Sequence, residues 1–381
     1  MLAILIMVIC ITVIGLLIYF SKKLFNEPQS STFKKITLDF YNSIYLKAQN
    51  RLKDSAIGFG YTGCKDITVN TFDLLDKLNI PFKPREKTHI VTIKDFVETF
   101  ASFFRAGASS EVFMESKEDF ELLLLKMADL HKVITFGGNA PHMALRASYE
   151  NFNAVLVADI GQEEINTLKS LDVNKKIHFV PVDESRETSD IHLIFEYPAK
   201  EYKGIKAPKA NKFYLNHDTI SPQLLAMDKY LDIVTKLNVN KHAFSGFHLI
   251  QKLPANKAIK LISKVRGQWD LLRRRDKQTI HMEIGAFQDP EIYEAVIENL
   301  LLRADSVGIN EQEVLILHTL LKKKTFKTLA APFSDPSSVL QKVFEIIDIL
   351  EEKKAVLSRF HIHAKLLHHL CYRGNNIKQH R

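Results

Sequence analysis

Short apolar runs alternate with amphipathic helical stretches along most of this chain, and that rhythm restricts it to a mainly parallel sheet flanked by helices. The alternation is clearest late in the sequence. Residues 278–286 (QTIHMEIGA) read as a buried strand, 290–303 (PEIYEAVIENLLLR) as a helix, 305–309 (DSVGI) as a second strand and 311–323 as the next helix. A right-handed crossover makes the two strands parallel. Glu283 of His281-Met282-Glu283 and Glu313 of Asn310-Glu311-Gln312-Glu313 then fall near the carboxyl edge of the sheet, where open α/β folds bind ligands. Two carboxylates there suit a metal–nucleotide site, although a glutamate at a strand end or in a first helical turn is also what solvent and the helix dipole favour.

The same rhythm extends back to a strand at 55–60 (SAIGFG), where the globular body begins. Helices are expected at 70–78, 93–105 and 117–130, then a strand at 132–136 ending in Gly137-Gly138 and a further α/β stretch over 152–183. Strands follow at 190–197 and 212–216, a helix at 222–237, a strand at 242–245 and a helix at 257–275. Proline-bearing 198–210 and 331–337 read as exposed loops. With 381 residues, 46% of them hydrophobic, the chain can bury a large core. Its net charge of +8 is scattered among 44 acids rather than gathered in a patch, so nucleic acid is not an expected partner. Arg273-Arg274-Arg275 and Lys322-Lys323-Lys324 close helices, as the dipole favours. Cys10, Cys64 and Cys371 are far apart and lack CxxC spacing, so the pattern encodes neither a disulfide framework nor a zinc site.

Residues 2–20 (LAILIMVICITVIGLLIYF) carry no charge and, at about 1.5 Å per residue, reach across a bilayer as a helix. The run is long for a signal segment and lacks a basic n-region and a small-residue cleavage site, so an uncleaved anchor is expected over residues 1–21. Lys22 and Lys23 would hold the body on the cytosolic side. Residues 22–50 read as a connector.

Three further strings carry polar groups next to glycine. Strand 55–60 runs into Tyr61-Thr62-Gly63-Cys64-Lys65-Asp66, where a carboxylate can accept paired hydrogen bonds from sugar hydroxyls or simply cap a turn. Gly107-Ala108-Ser109-Ser110-Glu111 offers another carboxylate. Gly137-Gly138-Asn139-Ala140 offers an amide that both donates and accepts, beside a glycine pair that is more often a plain turn.

Taken in order, GASSE at 107–111, FGGNA at 136–140, IHLIFEYP at 191–198, KAPKANKFYLNHD at 206–218, FSGFHLI at 244–250, HMEIGAF at 281–287, GINEQE at 308–313 and SRFHIH at 358–363 resemble the ADP-dependent glucokinase family, the ADP-using branch of the ribokinase-like sugar kinases. The resemblance implies a ribokinase-like α/β domain over 51–370 with a smaller β-rich lid, expected from insertions near 67–105 and 185–216, and an atypical basic tail at 371–381. It implies transfer of the β-phosphoryl of ADP to glucose with Mg²⁺, giving glucose 6-phosphate and AMP. By position, Asp66, Glu111 and Asn139 look like sugar contacts, and Glu283 and Glu313 look like the acids that hold the metal, directly or through water. Lys212 stands in Asn211-Lys212-Phe213 where the family usually has Asn-Arg-Phe, which keeps the charge toward nucleotide phosphate but loses the planar fork. Arg359, His361 and His363 read as a strand with structural or hydrogen-bonded histidines.

The late GxGD motif of ribokinase-like kinases, with its anion hole and catalytic aspartate, is absent from the 381 residues. The expectation is therefore a C-terminally truncated glucokinase of doubtful activity, with no catalytic base of its own, a monomer held at the endoplasmic reticulum membrane, its body cytosolic by the lysine pair or lumenal by the family resemblance. Non-catalytic sugar or nucleotide binding, or a membrane-tethered interaction role, are the alternatives.

Overall fold

The computed structural model describes residues 56–87, 89–324, 336–363 and 368–372. The apolar run 2–20, the connector 22–50, the residues 331–335 of an expected loop and 373–381 of the expected tail lie outside the described residues. Among the described residues no helix is long and apolar enough to cross a membrane.

Along the chain, β1 (Ala56–Gly60) and β2 (Cys64–Asn70) lead into α1 (Thr71–Leu78) and α2 (Ile93–Ala106), followed by β3 (Ser110–Phe113), α3 (Lys117–Lys126) and β4 (Lys132–Gly137). Next come α4 (Asn139–Tyr149), β5 (Asn153–Ala158), α5 (Gln162–Leu171), β6 (Ile177–Pro181) and β7 (Ile191–Tyr197). A small hairpin of β8 (Glu201–Tyr202) and β9 (Ile205–Lys206) precedes β10 (Asn211–Asn216), α6 (Ala226–Lys236), β11 (Lys241–Phe244) and α7 (Ala255–Arg273). The rest comprises β12 (Thr279–Glu283), α8 (Pro290–Asn299), β13 (Ser306–Ile309), α9 (Glu311–Leu321), α10 (Pro336–Glu352), β14 (Arg359–His363) and β15 (His368–Tyr372). The stretch 198–210, expected as an exposed loop, carries the small β8–β9 hairpin on largely exposed residues, and Pro336 starts a helix rather than continuing a loop.

The larger sheet has the order β15-β14-β13-β12-β11-β1-β5-β6. Every pairing in it is parallel except β14 with β15. Strands buried on both faces need apolar residues at every position, and β5 shows why: Val155 and Val157 join one core with Tyr230, Phe244 and Trp269, while Ala154, Leu156 and Ala158 join another with Phe59, Ala144 and Ile165. The chain leaves β1 toward β5 and β6 on one side and returns to β11 on the other, which makes the β1–β11 seam the switch point of the fold. There Gly246, at φ 85°, sits so close to Thr62 that a Cβ would come within 2.0 Å of the Thr62 hydroxyl.

The smaller sheet has the order β3-β10-β7-β2-β4 and mixes parallel with antiparallel pairs. It includes much of the spans 185–216 and the start of 67–105, and adds 110–113 and 132–137. Only one of its faces is apolar. Ile67, Val69, Leu193, Phe195, Phe213 and Leu215 pack under α2, whose Phe96, Phe100, Phe103 and Phe104 form an aromatic row against them. The alternate residues of the same strands face the other way, as a period of two requires.

Candidate functional site

Those alternate residues and the carboxyl ends of the larger sheet line one cleft of about 1490 Å³. On the smaller sheet, parallel register puts Asp66 beside His192, and the antiparallel β7–β10 register puts His192 beside Asn216. The Asp66 carboxylate lies across Gly137, where a Cβ would come within 2.0 Å of Oδ1, and it accepts from the Cys64 thiol at 3.3 Å. Burial raises its pKa, and the neighbouring His192 works against that. Glu111 comes from β3 and accepts from Asn216 Nδ2 at 2.8 Å, with His248 Nε2 at 3.1 Å from its other oxygen. Burial opposes its ionisation, but the charge and hydrogen bond of His248 and the charge of His192 hold it down to about 2. His192 has its Nε2 2.9 Å from the buried carboxylate of Asp218, which raises the imidazole pKa against the effect of burial. Asn139 opens α4 directly after Gly138, at φ 89°, and also lines the cleft.

Glu283 ends β12 on the opposite wall. Its Oε2 lies over Gly308 of β13, where a Cβ would come within 2.0 Å, and His281 Nε2 stands 3.2 Å from the same oxygen. His363 of β14 hydrogen-bonds the other oxygen. Burial again disfavours the charge, yet these two histidines hold the carboxyl at about 2. Glu313 is the third residue of α9 and closes a capping box: Asn310 Oδ1 accepts from the Gln312 and Glu313 amides at 2.9 Å, and Glu313 Oε2 accepts from the Asn310 amide at 2.9 Å. Burial pushes Glu313 up to about 8, and the negative Glu283 adds to the effect. A buried carboxyl that resists ionisation beside a second carboxylate is an environment that a dication relieves. Two carboxylates also match Mg²⁺, which takes few protein ligands and keeps several waters.

The fold therefore brings Asp66, Glu111, Asn139, Glu283 and Glu313 to one cleft. Lys212 is placed differently. It shares the cleft-side face of β10 with Tyr214, but it is half-exposed, pairs with Glu196 Oε1 on β7 at 2.7 Å and is not among the residues lining the cleft. Sequence reading assigned no role to His192, Asn216, Asp218 and His248, which fix Glu111 and one another. Their one visible signal was position inside IHLIFEYP, KAPKANKFYLNHD and FSGFHLI. His363 is hydrogen-bonded as expected, and its partner is Glu283.

An open, mainly parallel sheet with its cleft at the strand carboxyl ends, closed by a smaller mixed sheet, defines a ribokinase-like kinase fold. The chain belongs to the family described as the ADP-specific phosphofructokinase/glucokinase conserved region, whose profile matches residues 55–381. It is similar to a probable ADP-dependent glucokinase of Caenorhabditis elegans, 29% identical over 274 residues covering 70% of this chain and 52% of that protein. It is also similar to the ADP-dependent glucokinase of Bos taurus, 24% identical over 340 residues covering 83% and 64%. The chain thus spans between about half and two thirds of the length of these relatives. Among solved structures, an ADP-dependent kinase in complex with fructose-6-phosphate and ADPbetaS superposes with a TM-score of 0.63 at 17% identity, covering 85% of this chain and 71% of that one.

Proposed function

We propose that the cleft binds glucose against Asp66, Glu111 and Asn139 and Mg²⁺-ADP against Glu283 and Glu313, the ligand set of an ADP-dependent glucokinase. The observation that carries the choice of sugar is Glu111, kept anionic by His248 and His192. An ionised carboxylate accepts from sugar hydroxyls and repels a sugar phosphate, which favours glucose over fructose 6-phosphate. Glu283 and Glu313 would hold the magnesium, directly or through water, and the ion would offset charge on the transferred phosphoryl group. Lys212 would reach nucleotide phosphate by exchanging Glu196 for it. Thermal denaturation with each ligand tests the assignment, because a ligand present at 100 times its Kd stabilises the folded state by about 2.7 kcal/mol. Glucose and Mg²⁺-ADP should each raise the midpoint. A rise with fructose 6-phosphate and none with glucose would overturn the choice of sugar.

A second reading rests on the missing GxGD motif. Losing one preorganised oxyanion donor costs on the order of 10²–10³ in rate, so a polypeptide of these 381 residues is expected to bind its ligands with little phosphoryl transfer. Formation of glucose 6-phosphate at roughly 1 s⁻¹ or faster would show that another residue serves as base. The apolar run 2–20 supports a membrane anchor, and the family resemblance suggests the endoplasmic reticulum as its membrane; release of the intact chain by alkaline carbonate would rule the anchor out.

A further inference from the structure

The wall of the cleft that the smaller sheet provides carries a donor set that hydroxyl recognition does not require. Cys64 and Asp66 are two apart on β2 and share its cleft-side face, with His192 beside Asp66 in register. One donor atom from each lies within 4.8 Å of the other two. The imidazole is oriented from behind, because its Nε2 faces the buried Asp218 carboxylate at 2.9 Å and leaves Nδ1 for the front, where Glu111 Oε1 stands 3.8 Å away. A carboxylate behind the ring is the usual support of a metal-binding histidine. The thiol is buried but lines the cleft, and it donates to Asp66 Oδ1 at 3.3 Å.

We propose that Cys64 Sγ, an Asp66 carboxylate oxygen and His192 Nδ1 form a three-ligand site for a thiophilic divalent cation, best matched by Zn²⁺, with its fourth position open to the cleft. Sulfur, nitrogen and oxygen in one tetrahedral set favour zinc over magnesium, which separates this site from Glu283 and Glu313. On binding, the Cys64 S–H bond and the His192 Nδ1–H bond break, sulfur–metal and nitrogen–metal bonds form, and both protons leave to solvent, two per ion. Occupancy removes Asp66 from any sugar. That consequence rests on the proposed sugar role of Asp66, whereas the cation site does not.

The test uses the tag-free 381-residue chain titrated with Cd²⁺ and followed by the ultraviolet thiolate-to-metal band, with Zn²⁺ as competitor. One equivalent should give the band in the wild type and in the Cys10→Ser/Cys371→Ser variant, and none in Cys64→Ser. Asp218→Asn should weaken binding at least tenfold by freeing the His192 ring to turn. Should Cys64→Ser fail to fold, the wild type still answers: Zn²⁺ should slow alkylation of Cys64, read by peptide mass. A wild type without the band, a band that survives in Cys64→Ser, or alkylation indifferent to Zn²⁺ overturns the site. Excess glucose should weaken Cd²⁺ binding. A Cys64-dependent band that ignores glucose upholds the cation site and removes Asp66 from sugar binding.

Discussion

On each wall of the cleft a carboxylate lies across a glycine, Asp66 over Gly137 and Glu283 over Gly308, so the missing side chain matters as much as the acid. A methyl group at 308 would meet Glu283 Oε2 at 2.0 Å and force the carboxylate away from His281 and His363. Gly308→Ala should therefore match Glu283→Gln, each weakening Mg²⁺-dependent nucleotide binding at least tenfold, about 1.4 kcal/mol, by calorimetry. If both variants keep the wild-type magnesium dependence, Glu283 does not hold the ion. The acids were readable because each sits beside a turn glycine or a helix start. Their partners were not, because His192 meets Asp66, and Asn216 meets Glu111, only through strand pairing between distant segments. For the same reason Cys64, judged by its spacing to other cysteines, gave no hint of a ligand set completed by a histidine far along the chain.

Elements were more legible than contacts. The helix expected at 93–105 forms as Ile93–Ala106 because Thr92 and Asp95 close a capping box and Gly107, at φ 65°, ends it. The strand β2 is less legible: in sequence Lys65, Asp66 and Thr68 beside Ile67 and Val69 read as the exit of β1, and in the structure they form a half-buried strand of another sheet. What holds that second sheet is the aromatic row on α2. Phe100 is fully buried among Phe96, Phe104, Phe195, Tyr197 and Phe213. Phe100→Ala should cost about 3–5 kcal/mol in equilibrium unfolding, whereas Phe344→Ala, on an exposed face of α10, should cost much less. Similar losses in the two variants would contradict the packing described.

For the whole molecule, pH links the core to stability. His242 is buried in β11 with Tyr230 Oη at 3.0 Å and Gln278 Oε1 at 2.8 Å, and burial lowers its pKa from 6.5 to about 4. The unfolded chain takes up this proton as pH falls below 6.5, and the folded chain only near 4. Stability is therefore complete above 6.5 and declines between 6.5 and 4, by roughly 3 kcal/mol from this residue. His242→Gln should flatten that part of the pH profile of unfolding, and an unchanged slope would assign the loss to other groups. The parallel sheet was readable from the strand–helix rhythm. The smaller sheet was harder to delimit, because it gathers five strands from separated stretches and its pairing mixes both directions. Two separate sheets supply the two walls of the cleft, joined between β1 and β2 by only Tyr61, Thr62 and Gly63. Such a molecule has a divisible inheritance: under the proposed assignment, substitutions at 66, 111 or 192 would explore new acceptors while the β12–α9 wall, and the donor chemistry proposed for it, descends unaltered.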